Sequence, residues 1–229
     1  MEEEGADIID IGGESTKPGA HSVSFEEEAN RLFPILDQIL EKVQIPISLD
    51  TTKANIADLA LEKGVSIIND VSGLREDPEM ASVIAHRAAG VILMHRRGNS
   101  RTMQSLTGYQ DLISEVEQEL EESIAIAEKA GILKEQIAID PGFGFSKTAE
   151  QNFEMVKSFA RFKRFGRPVV AGASRKSFLG KVTGKDANER EFASTAIHAL
   201  LIERGANVLR VHHVGAAKDA VQVTCGVIN

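Results

Sequence analysis

Short apolar runs recur along the chain, and stretches with helical spacing lie between them. Seven runs, rich in β-branched residues, are found at 6–11, 45–50, 65–71, 90–95, 136–140, 167–172 and 207–212. Nearly continuous apolar runs of this length are typical of strands buried on both faces of a parallel sheet. The pattern therefore predicts seven parallel strands in an α/β protein.

Helical signals fill the intervals between the predicted strands. Ser24 and Glu27 have the spacing of a capping box, and Asp77-Pro78 is typical of a helix start. Apolar residues recur at i, i+4 through 112–124, and a further helical stretch covers 188–204 before a glycine. Strands and helices thus alternate without a linker, so we expect a single domain over the whole chain, 1–229.

This alternation fits two architectures, a doubly wound sheet and a (β/α)₈ barrel. An open sheet places its site at one switch point, whereas a barrel gathers all strand ends at one mouth. Polar or charged residues follow every predicted strand, namely Glu14-Ser15-Thr16, Asp50, Asn69, His95, Asp140, Ser174-Arg175-Lys176, and Arg210 with His212. The TIM barrel is therefore the predicted fold.

A barrel of this class has eight strands, and only seven are visible in the sequence. The first apolar run begins at residue 6, so the usual N-terminal strand and its loop are expected to be missing from the chain. We expect an open edge between the run at 6–11 and the run at 207–212, where the absent strand would lie.

Composition restricts the partners without naming a function. A formal net charge of −8 argues against a nucleic-acid-binding surface. No apolar run approaches the ~18 residues of a membrane span, and the acidic start is unlike a signal peptide. The single cysteine, Cys225, suits a reducing compartment, so we expect a cytoplasmic protein.

Acidic strand ends are the first candidate chemistry. Asp50 or Asp140 alone could be a helix cap or a turn residue. Two such acids in a chain whose other strands end in Asn69 and Lys176 favour a polar pocket. Buried carboxylates suit paired N–H donors, such as the edge of a pterin or purine. The glycines of PGFGF (141–145) permit a tight turn and the close approach of a ligand, whereas its phenylalanines, taken alone, are more typical of core residues.

Basic residues at the strand ends are the second kind of candidate chemistry. Arg210 and His212 occupy alternate positions of the last strand and so share a face. With Lys17 and Lys176 they would form a focus of positive charge suited to an anionic substrate or leaving group, such as phosphate or diphosphate, although surface cations are usually solvated. The histidines lack metal-ligand spacing, so the sequence predicts no protein metal site.

Seven segments follow one another along the chain: DIIDIGGESTKPGA, SLDTTKANIADLAL, IINDVSG, LMHRRG followed by TMQ, DPGFGFSKT, AGASRKSFLG and RVHHV. Together and in this order they resemble the dihydropteroate synthases of the folate pathway. STKPGA and SRKSF distinguish the chain from the methyltetrahydrofolate methyltransferases, which share the barrel. The resemblance implies a sulfonamide-sensitive transferase that condenses 6-hydroxymethyl-7,8-dihydropterin diphosphate with p-aminobenzoate, giving dihydropteroate and diphosphate.

The resemblance also implies roles for individual residues. Pterin binding is implied for Asp50, Asn69, Met94, Asp140 and Lys176, of which Asp50, Asp140 and Lys176 are also the implied catalytic residues. Diphosphate binding is implied for Arg210 and His212. Binding of p-aminobenzoate is implied for Thr16, Lys17, Pro18, Phe145 and Ser177. Mg²⁺ held mainly through the substrate diphosphate, and a homodimer, are implied as well.

Three departures from the family pattern affect the expected activity. A segment reading close to NVTPDSF, with an Asn that contacts Mg²⁺, is absent; Lys17 stands where the family usually has Arg, and His213 where it usually has Asp. We therefore expect pterin recognition to be more complete than turnover. The alternatives are a truncated, non-catalytic pterin- or anion-binding homologue, a subunit completed by another chain, and a different barrel enzyme acting on a phosphorylated substrate.

Overall fold

Strands and helices alternate throughout the computed structural model, which describes residues 1–228. The strands are β1 (Ile9–Ile11), β2 (Ile47–Asp50), β3 (Ile67–Asp70), β4 (Gly90–Met94), β5 (Ile137–Asp140), β6 (Val170–Ala171) and β7 (Val208–Leu209). The α-helices are α1 (Phe25–Leu40), α2 (Ala54–Lys63), α3 (Met80–His86), α4 (Leu112–Lys129), α5 (Ala149–Lys157), α6 (Ser177–Thr183), α7 (Glu191–Glu203) and α8 (Val214–Ile228). Short 3₁₀ helices lie at Glu2–Glu4, Met103–Ser105, Lys134–Gln136, Phe159–Phe165 and Ala187–Glu189.

The strands are parallel and lie beside one another in chain order. β1 to β5 form one continuous ladder, and β6 pairs with β7. A single parallel bridge between Ile139 and Val169 connects β5 to β6. Because the order never reverses, the arrangement is that of a barrel and not of a doubly wound sheet.

The first and last strands are the two edges of this arrangement. Within residues 1–228 no ladder joins β1 to β7. Side chains cross the gap instead, with Arg210 contacting Asp10 and Lys218 contacting Asp7. The predicted seven-strand order and the open edge between the first and last strands are confirmed.

Several elements begin or end at other residues than the sequence predicts. The predicted runs at 167–172 and 207–212 contain only two strand residues each, because the residues that follow leave the ladder and line the mouth. Ser24 does accept a hydrogen bond from the Glu27 N–H at 3.2 Å. The Glu27 carboxylate pairs with Arg31, however, so the return bond of a capping box is replaced by an ion pair.

The strand register places the predicted site residues at one edge of the sheet. Asp50 lies opposite Asn69 on β2 and β3, and Met94 lies opposite Asp140 on β4 and β5. Apolar side chains behind these positions are fully buried, as Leu49 is on β2. The helices pack around the strands through apolar stripes such as the one on α4, and the predicted polar residues lie at the carboxyl ends of the strands.

Candidate active site

Three polar side chains at the carboxyl ends of the strands form the deepest part of the candidate site. Asp50, Asn69 and Asp140 are each only 5% exposed. Asp140 accepts a hydrogen bond from the Gly142 N–H at 2.7 Å, which fixes one carboxylate oxygen. Burial raises the pKa of Asp140 above its usual range, and this hydrogen bond opposes the rise. Both acids are therefore held away from bulk water, as the sequence predicts.

Arg210 reaches across the open edge of the sheet to two carboxylates. Its Nε lies 2.5 Å from an oxygen of Asp10, and its Nη2 lies 3.0 Å from an oxygen of Asp50. Asp10 also accepts a hydrogen bond from the Ser48 hydroxyl and lies 3.4 Å from the amide nitrogen of Asn69. Asp10 thus connects a predicted pterin residue with a predicted diphosphate residue.

Sequence reasoning missed Asp10. It sits inside the apolar run at 6–11, one position before the last residue of β1, where an ionisable side chain is costly unless it is paired. That cost was the available signal. Its partner Arg210 is 200 positions away in the chain, so the pairing itself was not visible in any local pattern.

Asp50 has a strongly perturbed pKa. Burial raises its pKa to about 7, with a further rise from Asp10 and an opposing effect from Arg210. A carboxyl group that titrates near neutrality can change its charge as ligands bind. Perturbed groups of this kind are concentrated at functional sites.

Lys176 follows β6 and lies against the loop after β5. Its Nζ is 4.2 Å from the centroid of the Phe145 ring, a cation–π contact. Burial lowers the pKa of Lys176 to about 8, and Asp140 opposes this effect. The lysine is half-buried, and a Cβ added at Gly144 would lie 3.1 Å from its Cδ. Lys176 therefore rests directly on the 141–146 loop.

A small apolar cluster flanks the polar residues. Its members are Val71, Met94, Met103 and Phe145, all buried and separate from the main core. Phe143, in contrast, is stacked on Phe159 and Phe178 in the main core. Phe143 of PGFGF is thus a residue of the main core, whereas Phe145 belongs to the small cluster beside the polar residues.

Buried ion pairs anchor the loop between β1 and α1, residues 12–24. Glu28 of α1 is fully buried and accepts hydrogen bonds from Thr51 at 2.8 Å and from Lys53 at 2.6 Å. Lys53 also pairs with Glu14, which belongs to the loop. A Cβ added at Gly13 would approach Glu28 to 2.8 Å, so the loop lies close against the helix. This network fixes the base of the loop.

The loop covers a cavity of about 400 Å³ at the mouth. Thr16 and Asp50 both line it, and so does Arg96, whose guanidinium pairs with Glu76 at 2.5 Å. The Gly19 N–H donates to the Ser100 carbonyl at 2.8 Å, which joins the loop to the segment after β4. The structure therefore brings Thr16 to the same opening as Asp50.

Other predicted second-substrate residues are less closely gathered. Lys17 and Pro18 are exposed near the loop tip, and Ser177 is exposed at the start of α6. Within residues 1–228 no hydrogen bond joins Lys17 or Pro18 to Phe145 or Ser177. Phe145 and Ser177 are nevertheless close to a common residue, because Lys176 contacts the Phe145 ring and immediately precedes Ser177 in the chain.

His212 lies at the other side of the mouth. Its Nδ1 is 3.0 Å from the Ser174 hydroxyl. Burial lowers the pKa of His212, and four cations lower it further, namely Arg175, Arg210, Lys17 and Lys176. These cations therefore act on a common region, which supports the basic focus predicted from sequence, although Arg210 is already paired with carboxylates.

The residues that the structure describes, 1–228, contain neither a cluster of metal ligands nor a membrane-spanning helix. In that part of the chain no group of three or more His, Cys, Asp or Glu side chains is arranged to hold a metal ion. The described side chains alone thus do not fit a complete protein-held Mg²⁺ site. None of the described helices has the length and apolar character needed to cross a membrane.

Comparison with known proteins adds an independent line of evidence. The model of the family described as pterin binding enzyme matches residues 1–212. The dihydropteroate synthase of Synechocystis sp. is 46% identical over 97% of this chain and 78% of the relative. The dihydropteroate synthase of Bacillus subtilis is 42% identical over 93% of this chain and 73% of the relative.

Solved structures agree in fold as well as in sequence. Clostridium difficile dihydropteroate synthase, crystallised with pteroic acid, has a TM-score of 0.94 and 39% identity over 99% of this chain and 84% of that one. The Anaplasma phagocytophilum enzyme with bound 6-hydroxymethylpterin-monophosphate has a TM-score of 0.94 and 32% identity over 99% of this chain and 90% of that one. A Yersinia pestis synthase in complex with a sulfonamide drug has a TM-score of 0.95 and 32% identity over 98% and 82%.

Proposed function

The chain belongs to the family of pterin-binding enzymes, and from that premise we propose that it is a dihydropteroate synthase. It condenses a 6-hydroxymethyl-7,8-dihydropterin diphosphate with p-aminobenzoate and releases diphosphate. The relatives named above are all synthases, so a non-catalytic homologue and an unrelated barrel enzyme are not favoured. By the same similarity, sulfonamides are expected to compete for the aminobenzoate position.

One observation carries the proposal: two buried carboxylates and a carboxamide meet beside a lysine at the mouth. Asp50, Asn69 and Asp140 offer acceptors for the N–H groups of a pterin edge, and the amide of Asn69 also offers donors. Lys176 supplies a donor for a ring nitrogen or the pterin carbonyl. The neighbouring cluster that contains Met94 and Phe145 covers a flat ring. Asp50, Asn69, Met94, Asp140 and Lys176 form our proposed pterin pocket.

The reaction separates charge, and the side chains are placed to stabilise both signs. The bond between the pterin methylene carbon and the diphosphate oxygen breaks, and its electron pair leaves with diphosphate. Ionised Asp50 and Asp140 stabilise the resulting pterin cation in a site of low dielectric. Arg210 and His212, near the other cations, receive the departing diphosphate. The amine then attacks the methylene carbon and loses a proton to solvent.

The second substrate binds between the β1–α1 loop and the start of α6 in this proposal. Thr16, Lys17 and Pro18 border it on one side, and Phe145 and Ser177 on the other. The aromatic amine is a weak base, so it needs positioning more than activation. Lys17 retains the positive charge of the arginine usual in the family but cannot form a bidentate contact with a carboxylate.

Three further properties follow from the family resemblance and are also our proposals. Mg²⁺ would arrive on the substrate diphosphate, and no step above depends on it. The homodimer is supported by exposed apolar side chains on α7 and α8, which include Phe192, Val223 and Val227, and light scattering of the purified chain would measure it. A cytoplasmic location is supported by the single, unpaired Cys225.

The test uses the pterin pocket directly. Asp140→Asn keeps the shape of the side chain but removes its charge, so pterin binding should weaken by about 1–3 kcal/mol, or about 5- to 150-fold. Asp219→Asn, an exposed position on α8, is the matched control and should bind as wild type. Calorimetry with the pterin diphosphate measures affinity, and chromatography measures dihydropteroate and diphosphate formed in equal amounts. Equal affinity of the Asp140 variant, or diphosphate release without dihydropteroate, would refute the proposal.

A further inference from the structure

Lys147 is a buried lysine that the reaction described above does not use. It follows the 141–146 loop directly, and only 3% of it is exposed. Its Nζ lies 3.0 Å from the Phe145 carbonyl, 3.1 Å from the Gly142 carbonyl and 2.9 Å from His95 Nδ1. An ammonium group has three N–H donors, and these three acceptors occupy all of them. The lysine is thus bonded from beneath to both ends of the turn at 142–145.

His95 can act as the third acceptor because it stays neutral. Burial lowers its pKa to about 3, and the charge of Lys147 contributes to that shift. With the proton on Nε2, Nδ1 is free to accept from Lys147. His95 Nε2 lies 3.2 Å from a carboxylate oxygen of Glu119, which favours this tautomer.

The contacts to the loop do not depend on the charge of Lys147. Burial lowers its pKa to about 7, while Asp140 and Glu119 oppose the shift. A neutral amine keeps two N–H groups, which are enough for the two loop carbonyls. The hydrogen bonds that determine the loop conformation therefore persist in both protonation states.

The loop needs such support because its backbone is unusual. Gly142 and Gly144 have φ values of 75° and 81°, in the left-handed region that favours glycine. A Cβ at Gly142 would lie 2.1 Å from the His95 carbonyl oxygen, so the chain passes very close to the end of β4. The conformation turns the Phe145 carbonyl toward Lys147 and its ring toward the mouth.

The opposite face of the same loop carries Lys176. The Nζ of Lys176 is 4.2 Å from the centroid of the Phe145 ring, and its Cδ lies against Gly144. One loop thus separates two lysines, with Lys147 bonded to its carbonyls and Lys176 resting on its ring. Any change in the loop conformation moves the support of Lys176.

We propose that Lys147 is a positioning residue for the reaction: by bonding to the Gly142 and Phe145 carbonyls it holds the Phe145 ring against Lys176 and so orients the groups that contact both substrates. The proposal rests on the proposed function for its kinetic consequences. Its structural half, the dependence of the loop on Lys147, does not require the chain to be a synthase.

Lys147→Met tests the proposal, because methionine fills similar space without an N–H donor. We expect the KM for p-aminobenzoate to rise and kcat to fall, each about 10-fold, since small displacements of positioning groups have effects of this size. Lys176 becomes more hydrated when its support loosens, which raises its pKa. The alkaline limb of kcat/KM, which we assign to loss of the Lys176 proton, should therefore move to higher pH. Lys157→Met, at an exposed position of α5, is the matched control and should resemble wild type in every measurement.

Hydrogen–deuterium exchange supplies a measurement that does not depend on activity. Amides of residues 141–146 should exchange about 10-fold faster in Lys147→Met than in wild type or the control, with little change in α1 or α4. If the methionine variant does not fold, Lys147→Gln, which keeps two donors, is used in its place and should show smaller changes in the same direction. The proposal would be overturned if the variant lost activity only in proportion to its unfolded fraction. In that case the KM, the alkaline limb and the hydrogen–deuterium exchange of residues 141–146 would be unchanged. An inactive wild-type chain whose loop still depends on Lys147 would overturn the proposed function instead.

Discussion

Asp10→Asn should shift the pH dependence of the reaction in a predictable direction. Asp10 and Asp50 share the guanidinium of Arg210, and the charge of Asp10 helps to raise the pKa of Asp50 to about 7. Our mechanism needs Asp50 ionised, so kcat/KM for the pterin diphosphate should fall as the pH drops through about 7. Removing the charge of Asp10 lowers the pKa of Asp50, which moves this acidic limb to lower pH.

Strand geometry gives the size of the shift. Asp10 lies opposite Ser48, and Asp50 is two residues further along β2. With ~4.8 Å between strands and ~3.3 Å per residue, the Cα atoms of the two acids are about 8 Å apart. Two like charges at ~8 Å and an effective dielectric of ~20 repel by about 2 kcal/mol, or ~1.5 pKa units. Arg210 lies between them and offsets part of this repulsion, so the limb should move by about 0.5–1 pH unit.

The assay is initial-rate kinetics at limiting pterin diphosphate from about pH 5.5 to about pH 9, in steps of about half a unit. This range spans the perturbed pKa values of Asp50 and Lys176. The substrate diphosphate also titrates in this range, but its contribution is the same for every variant and cancels in the comparison. Asp7→Asn is the matched control, because Asp7 precedes the same strand and its side chain is 87% exposed. An acidic limb that stays in place in Asp10→Asn, or moves equally in the control, would refute the assignment of this limb to Asp50.

Two further predictions concern the loop anchor and the two phenylalanines. Lys53→Met leaves the buried carboxylate of Glu28 without its cation, so the free energy of unfolding should fall by about 3 kcal/mol in urea titrations; an unchanged midpoint would mean that Thr51 alone satisfies Glu28. Phe143→Ala should lower the free energy of unfolding by about 3–5 kcal/mol with little change in the KM for p-aminobenzoate. Phe145→Ala should chiefly raise that KM. Equal effects of the two substitutions on both quantities would contradict this division of roles.

Local patterns were sufficient to predict the positions of the strands and most of the polar residues that follow them. Asp50, Asn69 and Asp140 are the last or next-to-last residues of their strands, as the apolar runs indicate. Parallel strands bring such positions to one edge, so fold and acidic pocket are predicted by the same argument. Strand lengths were less predictable, because residues near Arg210 and His212 continue the alternation after the ladder has ended.

Interactions between distant residues were beyond sequence reasoning. Lys147 follows a glycine-rich turn and would ordinarily be interpreted as a solvated lysine, yet it is buried because the turn supplies carbonyl acceptors and β4 supplies His95. Asp10 has the appearance of a misplaced charge in a strand until Arg210 approaches from the opposite edge. Both roles depend on pairings that exist only once the strands are arranged around the mouth.

The pairing of Arg210 with two carboxylates is compatible with its proposed role at the diphosphate. A guanidinium has five N–H donors, and only the donor on Nε and one on Nη2 are used by Asp10 and Asp50. Its side chain is 44% exposed, so donors remain available on the side of the mouth. The carboxylates fix the plane of the guanidinium before the substrate arrives, which reduces the ordering cost of a bidentate contact with phosphate oxygens. In the proposed reaction, the same guanidinium lies between the acids that stabilise the cation and the anion that departs, so the two charges would separate across a group that is already oriented toward both.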